Sequence, residues 1–144
     1  MLTAKDKSNV AALWSKIESK AGDLGGEALG RMLVAYPPTK TYFTHWGASE
    51  LVPGSAKVKQ HGATIMGAVG KCVKGINDLS GTLSALSDLH AFQLRVDPAN
   101  FKLLAHSITV EVATHLGKDF TPELNAAFQK FMDVTVSMQG KQNH

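Results

Sequence analysis

The chain has 144 residues, 44% of them hydrophobic and 19% charged, which suits a single domain spanning 1–144 and excludes a disordered chain. Fifteen basic against twelve acidic side chains leave a formal charge of +3 that is scattered rather than gathered into a block, which argues against nucleic acid as a partner. The one cysteine, Cys72, excludes an internal disulfide and fits the cytosol, and neither an export signal nor a membrane span is expected.

Thr3 with Asp6 three residues later forms a capping-box pattern, and Val10, Leu13, Trp14 and Ile17 follow at helical spacing. Residues 23–36 are harder to read, because Gly25, Gly26 and Gly30 each cost about 1 kcal/mol relative to alanine in a helix. Leu24, Ala28, Leu29, Met32 and Leu33 nevertheless keep a helical period, so a helix is predicted whose glycines let another backbone approach, ended by Pro37 and Pro38. Residues 41–54, with Tyr42, Phe43 and Trp46 ahead of Gly47, Pro53 and Gly54, read as a structured connector.

From Ser55 a long helix is predicted to Lys74, with Val58, His61, Ile65 and Val69 on one stripe and Gly62, Met66 and Val73 beside it. Leu79, Leu83, Leu86, His90 and Leu94 continue at spacings of three or four, which sets an imidazole on a leucine-lined face. Asp97 and Pro98 read as cap and first turn of a helix carrying Phe101, Leu104, Ala105, Ile108 and Val112, with Gly117 at its exit. Thr121, Pro122 and Glu123 repeat the start signal for a last helix with Leu124, Phe128, Phe131, Met132 and Val136, which turns polar and is expected to fray from Gln139 to His144. No stretch alternates with period two and no repeat recurs, so the fold class is all-α.

Paired-cysteine, HExxH, GxSxG and phosphate-loop signatures are absent. There remain His61 and His90, each among apolar side chains on a different predicted helix. Spacing alone leaves two readings open: satisfied core or surface histidines, or two rings facing one cavity of the kind a haem needs, with one imidazole on the iron and one beside the gas. His45, His106, His115 and His144 have no recurring metal-ligand spacing and read as surface, interface or terminal groups.

Four segments narrow the choice: PPTKTYFTHW at 37–46, KVKQHG at 57–62, LSDLHAFQLRVDPANFKLLAHSI at 86–108 and GKDFTPELNAAFQKF at 117–131. Through them the chain resembles the globin family, and within it the alpha-type chains of vertebrate haemoglobins, of fish-like kind, over nearly all of residues 2–131. The resemblance implies a globin fold of about seven to eight helices around haem b, and reversible oxygen transport rather than enzymatic chemistry. It implies His90 as the proximal iron ligand, its other ring nitrogen donating to a backbone carbonyl near Leu86, and His61 as the distal residue donating to the gas. Phe43, Ile65, Leu86, Leu94, Val96 and Phe101 match pocket-wall positions, while Tyr42, His45, Trp46, Thr64, Leu89, Asn100 and Leu104 complete the lining or rim. Gly25 and Gly62 match a close helix crossing.

The resemblance further implies a beta-type partner, an α2β2 tetramer, and the cytoplasm of a red blood cell. Arg31, His106, Phe120 and Pro122 match the close subunit contact, and Thr39, Thr41, Tyr42, Asp97 and Asn100 the contact that shifts on switching. The alternatives are a monomeric oxygen store or sensor, or a haem enzyme with peroxidase or nitric-oxide dioxygenase activity. Four departures from the alpha pattern stand out: the Asn143 and His144 ending in place of tyrosine and arginine, a longer connector from Trp46 to Gly54, Thr64 in place of a lysine, and Gln139 at a position usually apolar.

Overall fold

The computed structural model describes residues 2–43, 46–85 and 98–142, without the side chains of residues 42, 83–85, 98–101 and 136–142. Thr3 opens the first helix as its sequence predicts: its hydroxyl accepts from the Asp6 amide at 3.0 Å and the Asp6 carboxylate accepts from the Thr3 amide at 3.0 Å. The resulting α1 (Ala4–Ile17) buries Val10, Leu13, Trp14 and Ile17, the four residues of its apolar stripe. A 3-10 turn at Glu18–Lys20 leads into α2 (Ala21–Ala35), so the glycine-rich segment is helical. Burying Leu24, Leu29, Met32 and Leu33 at about 1.5–3 kcal/mol each outweighs the roughly 1 kcal/mol cost of each glycine.

The predicted connector consists of 3-10 turns at Pro37–Phe43 and Ala48–Glu50. Ser55 then caps α3 (Ala56–Lys74), its hydroxyl accepting from the Val58 amide at 3.2 Å. After a turn at Ile76–Asp78 come α4 (Leu79–Ala85) and α5 (Pro98–Leu116), with Pro98 at the first helical position and Leu104, Ala105, Ile108 and Val112 buried. The expected roles of Leu86, His90, Leu94 and Asp97 in this stretch lie outside the described residues.

Gly117 leaves α5 at φ +54°, a left-handed conformation that glycine adopts without a Cβ penalty. The Thr121 hydroxyl accepts from the Leu124 amide at 3.2 Å and starts α6 (Pro122–Gln142), which buries Leu124, Phe128, Phe131 and Met132. Its helical backbone continues through Gln142, so the polar residues from Gln139 onward do not end it where fraying is expected. Local i to i+4 hydrogen bonds sustain a helix whether or not its last turn has an apolar face.

The central packing is α2 against α3, with α2 also against α5 and α1 against α6. A Cβ on Gly62 would fall inside the backbone of Gly25 and Gly26, and one on Gly25 would fall on the Gly62 carbonyl, so the predicted close crossing is present. Among the described residues there is no strand, and no helix is long and apolar enough to cross a membrane.

Candidate functional site

Two prolines start the segment that leads into the site, and Thr39 holds it against the end of α2. The Thr39 amide and hydroxyl both donate to the Tyr36 carbonyl, at 2.9 and 2.7 Å, and the side chain is buried. The 3-10 turns that follow deliver Phe43 into the core with 1% of its surface exposed. The Trp46 amide then donates to the Phe43 carbonyl at 2.9 Å, which folds the chain back and stacks the two rings 4.8 Å apart at 26°.

His61 comes to this pair from α3. Its half-buried imidazole stands edge-on to Phe43, 5.4 Å between centroids at 78°, and edge-on to Trp46, 5.6 Å at 84°. One turn along the same face Ile65 is buried, and Leu104 on α5 is fully buried in the same core. Thr64 is half-buried and its hydroxyl donates to the Gln60 carbonyl at 3.1 Å, so it is engaged by its own helix. Phe43, Trp46 and His61 thus stand in mutual ring contact. His45, Leu86, Leu89, His90, Leu94 and Val96 lie outside the described residues, and for Tyr42, Asn100 and Phe101 only the backbone is described.

Of the expected contact residues, Arg31, Thr41, His106 and Pro122 are exposed and Phe120 is half-buried against the core. Asp97 is outside the described residues. Thr39 offers little to a partner, because its hydroxyl is spent on the turn just described.

A second group of polar residues was not anticipated. Arg31 Nε lies 2.7 Å from Glu111 Oε1, and His115 Nε2 lies 2.8 Å from Glu27 Oε2. The hydrogen bond from His115 holds the Glu27 carboxyl below its usual range, against the opposing effect of partial burial. The legible signal was a pair of i, i+4 spacings, Glu27 with Arg31 and Glu111 with His115, which put each pair on one helix face. Only the packing of α2 on α5 shows that the two faces meet.

The Globin family model matches residues 26–139. The chain belongs to the globin family. Among its relatives are the haemoglobin subunit alpha of Salmo salar, 60% identical over 131 residues that cover 91% of this chain and 90% of that protein. The haemoglobin subunit alpha-1 of Oncorhynchus mykiss is 61% identical over 133 residues, 91% of each chain. The haemoglobin embryonic subunit alpha of Oryzias latipes is 58% identical over 131 residues, 91% of this chain and 90% of that one. This globin is therefore similar to fish alpha chains over nearly its full length.

The described side of the pocket fits haem. A porphyrin requires a flat apolar wall with one polar group near the gas, and the donor set here is a single half-buried imidazole beside Phe43, Trp46 and Ile65.

Proposed function

We propose that this globin carries oxygen reversibly through haem b, as the alpha-type subunit of an α2β2 haemoglobin in the cytoplasm of red blood cells. The observation that carries the reading is the His61 imidazole held edge-on to Phe43 and Trp46 in a chain about 60% identical to fish haemoglobin alpha subunits. When bound, the haem supplies a ferrous iron at which dioxygen adds and leaves without net chemistry.

The chain's own residues supply the rest. His90 is the residue proposed to hold the iron, through a neutral imidazole nitrogen. His61 donates a hydrogen bond to the gas, and a charge-assisted bond of about 1.5–3 kcal/mol corresponds to roughly one to two orders of magnitude in affinity. Phe43, Ile65 and Leu104, all nearly fully buried, exclude water that would promote oxidation of the iron. The side chains of Phe43 and Trp46 limit how far the His61 ring can turn away from the gas.

A peroxidase reading would require a second acid–base or cationic group beside His61. Thr64, one turn from His61 on the same helix, donates its hydroxyl to the Gln60 carbonyl and has neither the charge nor the acidity of such a group, which favours binding without activation. For the partner, Arg31, His106 and Pro122 form the proposed close contact with a beta-type chain, and the 61% exposed Val34 one turn from Arg31 adds apolar surface to that face. Tyr42, Thr41, Asp97 and Asn100 are proposed for the contact that shifts on switching.

Oxygen equilibrium curves of the haem-loaded chain, alone and mixed with a beta-type globin at two pH values, test the reading. A steep curve appearing only in the mixture is expected. A hyperbolic curve unchanged by the partner would overturn the tetrameric assignment and leave a solitary oxygen binder.

A further inference from the structure

The acidic and imidazole groups between α2 and α5 have no part in the haem pocket as described. Glu27 comes from α2, while Glu111 and His115 come from α5 one turn apart, a spacing that aims two side chains at one point beside the helix. One ligand atom from each of the three lies within 4.8 Å of the other two. Donors bound at about 2.0–2.2 Å to a common tetrahedral ion stand roughly 3.4 Å apart, so small side-chain rotations bring the trio to ligating distance. The three residues line one end of an open cleft of about 880 Å³ that gives solvent and ions access.

Charge and burial favour a cation there. Glu111 is 6% exposed, so its carboxylate has already lost most of its hydration. Among the described residues its ion-pair partner is Arg31, which reaches a single oxygen through Nε, and carboxylates bind ions through either or both oxygens. The carboxylates of Glu27 and Glu111 face one guanidinium, that of Arg31, which leaves an excess of negative charge between them. The 2.8 Å between His115 Nε2 and Glu27 Oε2 is the separation of two atoms sharing a proton. A metal ion takes the place of that proton, which passes through solvent to His115 Nδ1 so that the imidazole stays neutral, while the lone pairs of Nε2 and Oε2 turn to the ion. Lys20 and Lys59 also line the cleft, where Asp23 offsets one of them, and Arg31 is the cation in contact with a ligand carboxylate.

We propose that Glu27, Glu111 and His115 form a binding site for one divalent transition-metal ion of the zinc class, separate from the haem. One imidazole with two carboxylates is a donor set that zinc accepts, and water completes its tetrahedron. Magnesium is disfavoured because it demands near-ideal octahedral oxygen ligation, whereas this site offers a nitrogen and a fixed pair of helix faces.

Isothermal titration of the haem-loaded chain with Zn²⁺ tests the site, using Glu27→Gln and His115→Gln, both at partly exposed positions, with His106→Gln as a control for zinc on other surface histidines. The wild-type chain and the His106→Gln control are expected to share a one-equivalent binding event that weakens by about tenfold or more in each of the other two variants. Zinc should also raise the melting temperature of the wild-type chain more than that of those two variants. Equal binding in all four proteins, or a loss in His115→Gln without one in Glu27→Gln, would overturn the proposal and leave two ion pairs with adventitious zinc on exposed histidines.

Discussion

His61 illustrates how one side chain's neighbours set its task. Its ring is edge-on to both Phe43 and Trp46, so the imidazole is held in one orientation by two aromatic side chains. His61→Leu keeps the apolar body and removes the donor, and oxygen should leave about tenfold faster or more, with quicker oxidation of the iron. Flash photolysis of the oxygenated chain measures the first and the visible spectrum over hours the second; unchanged release would remove His61 from the distal role. Cys72 shows the opposite case, a reactive group silenced by its surroundings. Burial pushes its thiol up to about 11, so it packs as a small apolar residue and carries little thiolate at neutral pH. Iodoacetamide at pH 8 should leave the native chain unmodified and label it once after unfolding, as mass spectrometry would read; rapid native labelling would contradict the buried placement.

Helices α2 and α3 cross closely because Gly25 and Gly62 have no side chains where their backbones meet. Two substitutions in α3 with the same chemistry should therefore have opposite signs. Gly62→Ala forces the helices apart and should destabilise by about 1–3 kcal/mol. At Gly67 a Cβ meets nothing within 4 Å, and Gly67→Ala should stabilise by up to about 1 kcal/mol through helix propensity. Thermal melts of both variants decide the matter, and a stabilising Gly62→Ala would contradict the crossing. The glycine-rich segment read as awkward from propensity alone, and its periodic leucines were what pointed to a helix. The reason for its glycines lay in the partner helix.

Across the whole molecule, Asp6 joins the first helix to the last through a 2.6 Å contact with Lys130 Nζ. That hydrogen bond, with the Thr3 amide, holds the Asp6 carboxyl down from 3.8 to about 2. A carboxyl whose pKa is depressed on folding contributes stability that is present above its unfolded value and is lost as pH falls through its folded one. The melting-temperature gap between the wild-type chain and Asp6→Asn should therefore hold steady at neutral pH, narrow below about 4 and close toward about 2. A gap independent of pH would show that the charge contributes nothing. The contact is exposed to solvent, so raised salt should also shrink the gap.

The order of helices, their caps and their buried faces were legible in the sequence, because helix caps and a 3.6-residue period are local properties that need no knowledge of distant chain. Thr3, Ser55 and Thr121 each cap the helix that follows, and the apolar stripes of α1, α3 and α6 are the faces that pack inward. His61 and His90 also stood out on apolar helical faces, but the haem roles proposed for them rest on longer stretches of residues than the two rings, and His90 lies outside the described residues. What only the tertiary structure decided was which of these faces meet. Nothing local says that the Phe43 and Trp46 rings meet His61 of α3, or that Glu27 of α2 reaches His115 of α5. Those contacts depend on how helices far apart in sequence pack, and packing is set by all the buried side chains at once.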